Sequence, residues 1–188
     1  MLLDENESII GENTDVFGFQ AAYLKSISEL EKRNKRALIL GAGGVAPSII
    51  LALIKSNFNK ISLSNRTYEK SLFLKKKFPN INIIKWEDYL RKFDEFDIVI
   101  NATSLGLTKG DDFKHKVARF KKSLIYIDTI YNPSQTKMIK HFKLSNVKTY
   151  NGLSMFIYQG QKSFYLWNKI NPEVDDNLLQ LLESKLSL

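Results

Sequence analysis

Apolar positions in this chain come in short unbroken runs, separated by segments of helical period. Ala37-Leu38-Ile39-Leu40 is four apolar residues in a row before Gly41, the pattern of a strand buried on both faces as in a parallel sheet. Ile61 to Leu63, Ile81 to Ile84, Asp97-Ile98-Val99-Ile100-Asn101, Ser123 to Asp128 and Val147 to Tyr150 read as five further strands. Ile49 to Ile54, Glu69 to Phe78 (stopped by Pro79) and Gln135 to Phe142 read as the helices between them. Strands alternating with helices predict an α/β fold, a doubly wound parallel sheet with helices on both faces. Upstream, residues 1–12 read as a short extended piece. Thr14 and Asp15 are placed to cap a helix running to about Lys32, with Phe19, Tyr23, Ile27 and Leu30 on one face. Downstream, Gly152 to Trp167 reads as an aromatic-rich helix. Pro172 then opens a last helix, with Val174, Leu178, Leu181 and Leu182 as its stripe.

The turn after the first long apolar run carries the first candidate chemistry. Gly41-Ala42-Gly43-Gly44-Val45-Ala46 contains Gly41-x-Gly43-x-x-Ala46, the spacing of a dinucleotide fingerprint. Gly41 permits the tight strand-to-helix turn, Gly43 lets a pyrophosphate approach the backbone, and Ala46 lets the helix pack on the sheet. Pro47 is tolerated in the first helical turn. The sheet is therefore expected to be Rossmann-like. The second strand ends in Ser62-Leu63-Ser64-Asn65-Arg66-Thr67, where an NAD site places an acid about 20 residues after the glycines. No acid stands there. Arg66 and, one turn on, Lys70 favour the dianionic 2′-phosphate of NADP, and Thr67 fits either a phosphate contact or a helix cap. A surface arginine beside a capping threonine is the plain alternative.

Composition narrows the partners. The net charge is +8, from 28 Lys and Arg against 20 Asp and Glu. The lysines are scattered, however, and the one tight cluster, Lys75-Lys76-Lys77, has the spacing of a solvated helix face. No nucleic-acid motif accompanies them, so the surface is read as attracting small anions, with no nucleic-acid partner. The absence of cysteine excludes disulfides and thiolate chemistry. No apolar run approaches the roughly 20 residues that span a bilayer, so no membrane partner is expected. The acidic start, Met1 to Glu7, lacks the layout of a signal peptide, and the location expected is cytoplasmic.

Six motifs occur in order: Asn13-Thr14-Asp15-x-x-Gly18-Phe19, Gly41-Ala42-Gly43-Gly44, Asn65-Arg66-Thr67, Asn101-Ala102-Thr103-Ser104-x-Gly106, Tyr131-Asn132-Pro133-x-x-Thr136 and Asn151-Gly152-Leu153-x-Met155-x-x-Tyr158-Gln159-Gly160. Over about residues 10 to 168 the set resembles the shikimate dehydrogenases, NADP-dependent enzymes of aromatic amino-acid biosynthesis that reversibly reduce 3-dehydroshikimate to shikimate. The resemblance implies that Asp15 is the acidic member of a catalytic Lys–Asp pair and contacts a substrate hydroxyl. By the same resemblance, Gln159 and Tyr131 meet the substrate. Gly41, Ala42, Gly43, Gly44 and Val45 would hold the cofactor's pyrophosphate, and Asn65, Arg66, Thr67 and Lys70 its 2′-phosphate. Thr103 and Ser104 would lie along the cofactor, with Gly152 and Met155 near the nicotinamide. Taken singly, Asp15 fits a helix cap, Gln159 a surface amide, Tyr131-Asn132-Pro133 a turn and Asn101 to Ser104 a strand end; only the ordered set favours the catalytic reading.

Two departures matter. The family's serine-rich carboxylate motif and its Asn-Val-Thr-x-Pro-x-Lys motif, which supplies the catalytic lysine, do not occur here, and nothing suggests Lys25 as a substitute. Ser154 stands where the family has glycine. The expectation is therefore a fragment or truncated form: residues 1–15 left from a second α/β substrate domain, 16–151 the NADP-binding domain, and 152–188 helices that pack back on the substrate domain. Such a chain would be catalytically incomplete. Its aromatic face, with Phe156, Phe164 and Trp167, would be open to self-association as a homodimer. The alternatives are an NADP-binding module without catalysis of its own and a quinate/shikimate dehydrogenase using NAD.

Overall fold

The computed structural model describes residues 2–3, 9–25, 27, 29–114 and 117–186. Asp4 to Ser8 of the expected extended piece and the Leu30 side chain of the expected helix face lie outside the described residues. Two-residue strands β1 (Leu2–Leu3) and β2 (Ile9–Ile10) pair antiparallel. Strands β3 (Arg36–Leu40), β4 (Lys60–Asn65), β5 (Asn82–Lys85), β6 (Ile98–Asn101), β7 (Ile125–Asp128) and β8 (Lys148–Tyr150) form one sheet in the order β5-β4-β3-β6-β7-β8. Every pairing in it is parallel. The order reverses between β3 and β6, so a crevice opens at their carboxyl ends.

The expected apolar runs of the inner strands are buried on both faces, whereas Ile83 and Ile84 of edge strand β5 and Thr149 and Tyr150 of edge strand β8 are only half-buried. Ala37 and Ile39 pack with Ile49, Ile50 and Leu53 of α3 (Ala46–Lys55) and with Leu74 of α4 (Tyr68–Lys77). Leu38, Leu40 and Val99 point the other way, onto Tyr89, Phe93, Phe96 and the Ile139 and Phe142 side chains of α5 (Lys137–Leu144). Helices lie on both faces as expected, but α5 shares the second face with irregular chain. The links from β5 to β6 and from β6 to β7 contribute turns and a short 3₁₀ segment, Phe93–Glu95. Aromatic residues supply the bulk there: Phe93 stacks on Phe142 at 5.7 Å, and Tyr126 lies 4.7 Å from the same ring.

The long first helix is not continuous. Helix α1 (Asp15–Phe19) runs into a π-helical turn over Gln20–Leu24, and α2 (Glu29–Asn34) follows as a separate helix. The wider turn buries Tyr23 and Leu24 together, and Gln20 Nε2 donates to Ala52 O and Ser56 Oγ at the end of α3. Thr14 does not cap α1. Its hydroxyl lies 3.1 Å from that of Ser163, while Asn13 Oδ1 accepts the Asp15 N–H.

The C-terminal pair is α6 (Leu153–Asn168) and α7 (Asp176–Leu186). Helix α7 begins four residues after Pro172, because Asp175 accepts the Leu178 N–H and caps it. It buries none of its described side chains, so its expected apolar stripe is only partly covered. Phe156, Phe164 and Trp167 of α6 are exposed.

Helices α1 and α6 cross at Gly18. A Cβ there would sit 2.7 Å from the Met155 carbonyl oxygen and 3.0 Å from Gln159 Cβ. Gly18→Ala is expected to force the helices apart at a cost of about 1–3 kcal/mol, the range for overpacking. Urea unfolding would check it; an unchanged midpoint would show the crossing to be slack.

Candidate functional site

The glycine turn lies at the carboxyl end of β3, beside the reversal point. Gly41 has φ +107°, and a Cβ would lie 2.6 Å from the Ala102 carbonyl oxygen at the exit of β6. The Gly41 N–H donates to Ser64 O at 2.8 Å and the Ala42 N–H to Asn65 Oδ1 at 3.0 Å. Gly43 and Gly44 are exposed, and their N–H groups have no acceptor among the described residues. They open on a groove of about 510 Å³ lined by Ala42, Gly43, Gly44, Pro47, Glu69, Lys70, Phe73 and Leu74. Unpaired backbone donors at the start of a helix suit an anion, and Lys70 adds a cation on the opposite wall.

The expected 2′-phosphate set is divided by the structure. Arg66, Thr67 and Lys70 are exposed at the start of α4, and neither cation has an ion-pair partner among the described residues. Thr67 sits at the cap position, but its side chain makes no capping bond, so its hydroxyl stays available. Asn65 is held by the fold itself. It accepts from Ala42 N–H and donates to Thr67 O at 2.7 Å, bracing the glycine turn against the next loop. Glu69, which the sequence reading passed over, brings a carboxylate to the groove.

Across the reversal point, Thr103 packs its methyl against Gly41, but its hydroxyl is engaged locally. It donates to Asn101 Oδ1 at 2.6 Å and accepts from Leu105 N–H. Ser104 is exposed on the same loop. Asn101 is fully buried and donates to Asp128 Oδ1 at 3.0 Å. Asp128 is fully buried too. It also accepts from the Ile130 N–H, the Thr136 hydroxyl at 2.8 Å and the Tyr126 hydroxyl at 3.3 Å. Burial pushes its carboxyl up to about 6, against the opposing pull of these donors. A lone acid closing the apolar run Ile125-Tyr126-Ile127-Asp128 was the available signal for it.

The expected substrate residues lie along α6. Asp15 is half-buried at the start of α1, and that burial raises its carboxyl above the ordinary range. Gly18, one turn further along α1, meets Met155 and Gln159 of α6, and Thr14 at the start of α1 meets Ser163. Asn13 Nδ2 donates to Ser48 Oγ on α3, tying this corner to the helix that follows the glycine turn. Tyr131 is exposed and stacks on Phe156, with centroids 4.9 Å apart. Gly152 donates to Ile130 O at 2.9 Å, and Met155 is buried in the core beneath. Lys25 is exposed at the end of the π turn. Among the described residues there is no group of three or more His, Cys, Asp or Glu placed to hold a metal, and no helix long and apolar enough to cross a membrane.

A parallel sheet in this order, with an open glycine turn at its reversal point, defines a dinucleotide-binding domain of the kind found in dehydrogenases. Residues 23–151 match the family described as Shikimate / quinate 5-dehydrogenase, and the chain belongs to that family. The shikimate dehydrogenase (NADP(+)) of Pelagibacter ubique is 47% identical over 178 residues, covering 95% of this chain and 65% of the relative. The solved shikimate dehydrogenase of Aquifex aeolicus is 34% identical, with TM-score 0.80, over 90% of this chain and 60% of that one. The shikimate 5-dehydrogenase of Thermus thermophilus, solved with NADP(H) and shikimate, is 26% identical, with TM-score 0.74, over 94% of this chain and 63% of that one. The chain thus spans less than two thirds of the length of these relatives.

The carboxyl of Asp128 binds its proton more tightly in the folded state than in the unfolded one. Its contribution to stability is therefore fully present below the ordinary carboxylate range and lost as pH rises through about 6. As pH is lowered through that window, wild type is expected to gain up to about 3 kcal/mol relative to Asp128→Asn. Parallel thermal melts would show it; curves that keep a constant separation would refute it.

Proposed function

We propose that this chain is the NADP-binding portion of a shikimate dehydrogenase, acting in the reversible reduction of 3-dehydroshikimate to shikimate. The observation that carries the reading is the open glycine turn facing a groove with Lys70 on its far wall, and Arg66 and Thr67 unengaged at the end of β4. These residues fit the cofactor. The Gly43 and Gly44 N–H groups suit a pyrophosphate, and two cations without acid partners suit a 2′-phosphate. NADP(H), when bound, supplies or accepts the hydride. The relatives named for NADP(+) support that choice over NAD.

In the reduction, hydride adds to the ketone carbon and a proton must reach the carbonyl oxygen. Asp15, with its carboxyl raised by burial, is the proposed acidic half of the proton-handling pair. The lysine-bearing motif is not among these 188 residues, so on this reading the chain alone binds cofactor without turning over. Tyr131 and Gln159 are the proposed contacts to the substrate's hydroxyl and carboxylate groups. The proposed cellular setting is the cytoplasm. The exposed aromatic face of α6 supports association as a homodimer. Sedimentation should then show mass rising with concentration, and a monomer throughout the dilution series would remove that proposal.

Titration with NADP⁺ and NAD⁺ tests the main reading. NADP⁺ is expected to bind more tightly, and Arg66→Ala or Lys70→Ala should each weaken it about 10-fold or more while leaving NAD⁺ little changed. Equal binding of both cofactors would favour the quinate/shikimate alternative that uses NAD. Binding of neither would reject the reading.

A further inference from the structure

The two halves of this sheet end in differently built loops. On the β3–β4–β5 side, the groove is framed by the glycine-turn backbone, by Glu69 and Lys70, and by Pro47, Phe73 and Leu74. On the β6–β7–β8 side, the loops are built differently. They hang on one buried carboxylate. Asp128 Oδ1 receives Asn101 Nδ2 at the exit of β6 and the Ile130 N–H just past the exit of β7. Oδ2 receives the Thr136 hydroxyl, whose oxygen also caps α5 by accepting from the Ile139 N–H.

Each partner passes the constraint on. Asn101 Oδ1 holds both the N–H and the hydroxyl of Thr103, and Thr103 in turn lies against Gly41. Ile130 O receives the Gly152 N–H at the start of α6, and its neighbour Tyr131 stacks on Phe156. The 102–106 loop leans on Thr136, since a Cβ at Gly106 would lie 3.2 Å from the Thr136 side chain. A doubly wound sheet binds a dinucleotide across the reversal point, one mononucleotide to each half. The loops held by Asp128 are those of the second half.

We propose that Asp128 is a positioning residue: through Asn101 and Thr136 it sets the loop wall that receives the second, nicotinamide-bearing mononucleotide, without touching the adenosine half. The proposal rests on the NADP-binding reading above. It makes the two ends of the cofactor separable. The adenosine end depends on the glycine turn, Arg66 and Lys70, whereas the far end depends on a carboxylate that no ligand touches.

The test compares NADP⁺ with 2′,5′-ADP, which carries only the adenosine half, at mildly alkaline pH. Asp128→Asn removes a charged acceptor while keeping size and shape. It is expected to weaken NADP⁺ about 10-fold, the scale of one charge-assisted hydrogen bond, and to leave 2′,5′-ADP unchanged. Thr136→Val, which removes one donor to the same carboxylate, should give the same split and serves if Asp128→Asn does not fold. Equal losses for both ligands would make Asp128 a general stabiliser, and no loss for either would make it irrelevant; each overturns the proposal. Wild-type chain that binds 2′,5′-ADP leaves the NADP reading standing whichever way the variants fall. Wild-type chain that binds neither ligand overturns both.

Discussion

Two strand exits come unusually close at the centre of this sheet. Gly41 leaves β3 with φ +107°, so near the Ala102 carbonyl at the end of β6 that a methyl group would not fit. The proposed cofactor site depends on that approach. It allows the chain to turn into α3 with the Gly43 and Gly44 amides facing outward, and it brings the Asn101–Thr103 loop against the same turn. A parallel sheet places all its carboxyl ends on one edge, so this single contact joins the two halves of the crevice.

The braces on either side differ in kind. Asn65 ties the glycine turn to the start of α4 through one side-chain amide near the surface. Asp128 organises the other half from the interior, where an unsatisfied carboxylate would be costly and a satisfied one enforces geometry. Its four donors come from β6, β7, the loop after β7 and the start of α5, so none of these segments moves independently. The price of that order is a charge held where water cannot reach it.

Beyond the sheet, α1 and α6 carry Asp15 and Gln159, proposed to meet the substrate, and their crossing has no room for a side chain at Gly18. The pair is anchored to the cofactor half by Asn13 on Ser48 and by the Tyr23 hydroxyl, which donates to Asn151 O at 2.7 Å. The outer face of α6 and the whole of α7 remain poorly covered.

Much of this was written in local sequence. Runs such as Ala37 to Leu40 and Ile98 to Ile100 specify buried parallel strands because each is apolar at every position, and the spacing of Gly41, Gly43 and Ala46 specifies the turn because only small residues fit it. The start of α7 and the break after Phe19 were not legible. Asp175 caps α7 and Gln20 bonds to the end of α3, and neither contact leaves a periodic trace. Asn65 and Thr103 also brace the loops around them, a role the sequence did not show, because their partners Ala42 and Asn101 are set beside them by the fold. Asp128 shows the limit most plainly. In sequence it is one acid after three strand residues; the parallel register of β6 and β7 brings Asn101 to it, and the turn from β7 into α5 brings the Thr136 hydroxyl to the same carboxylate.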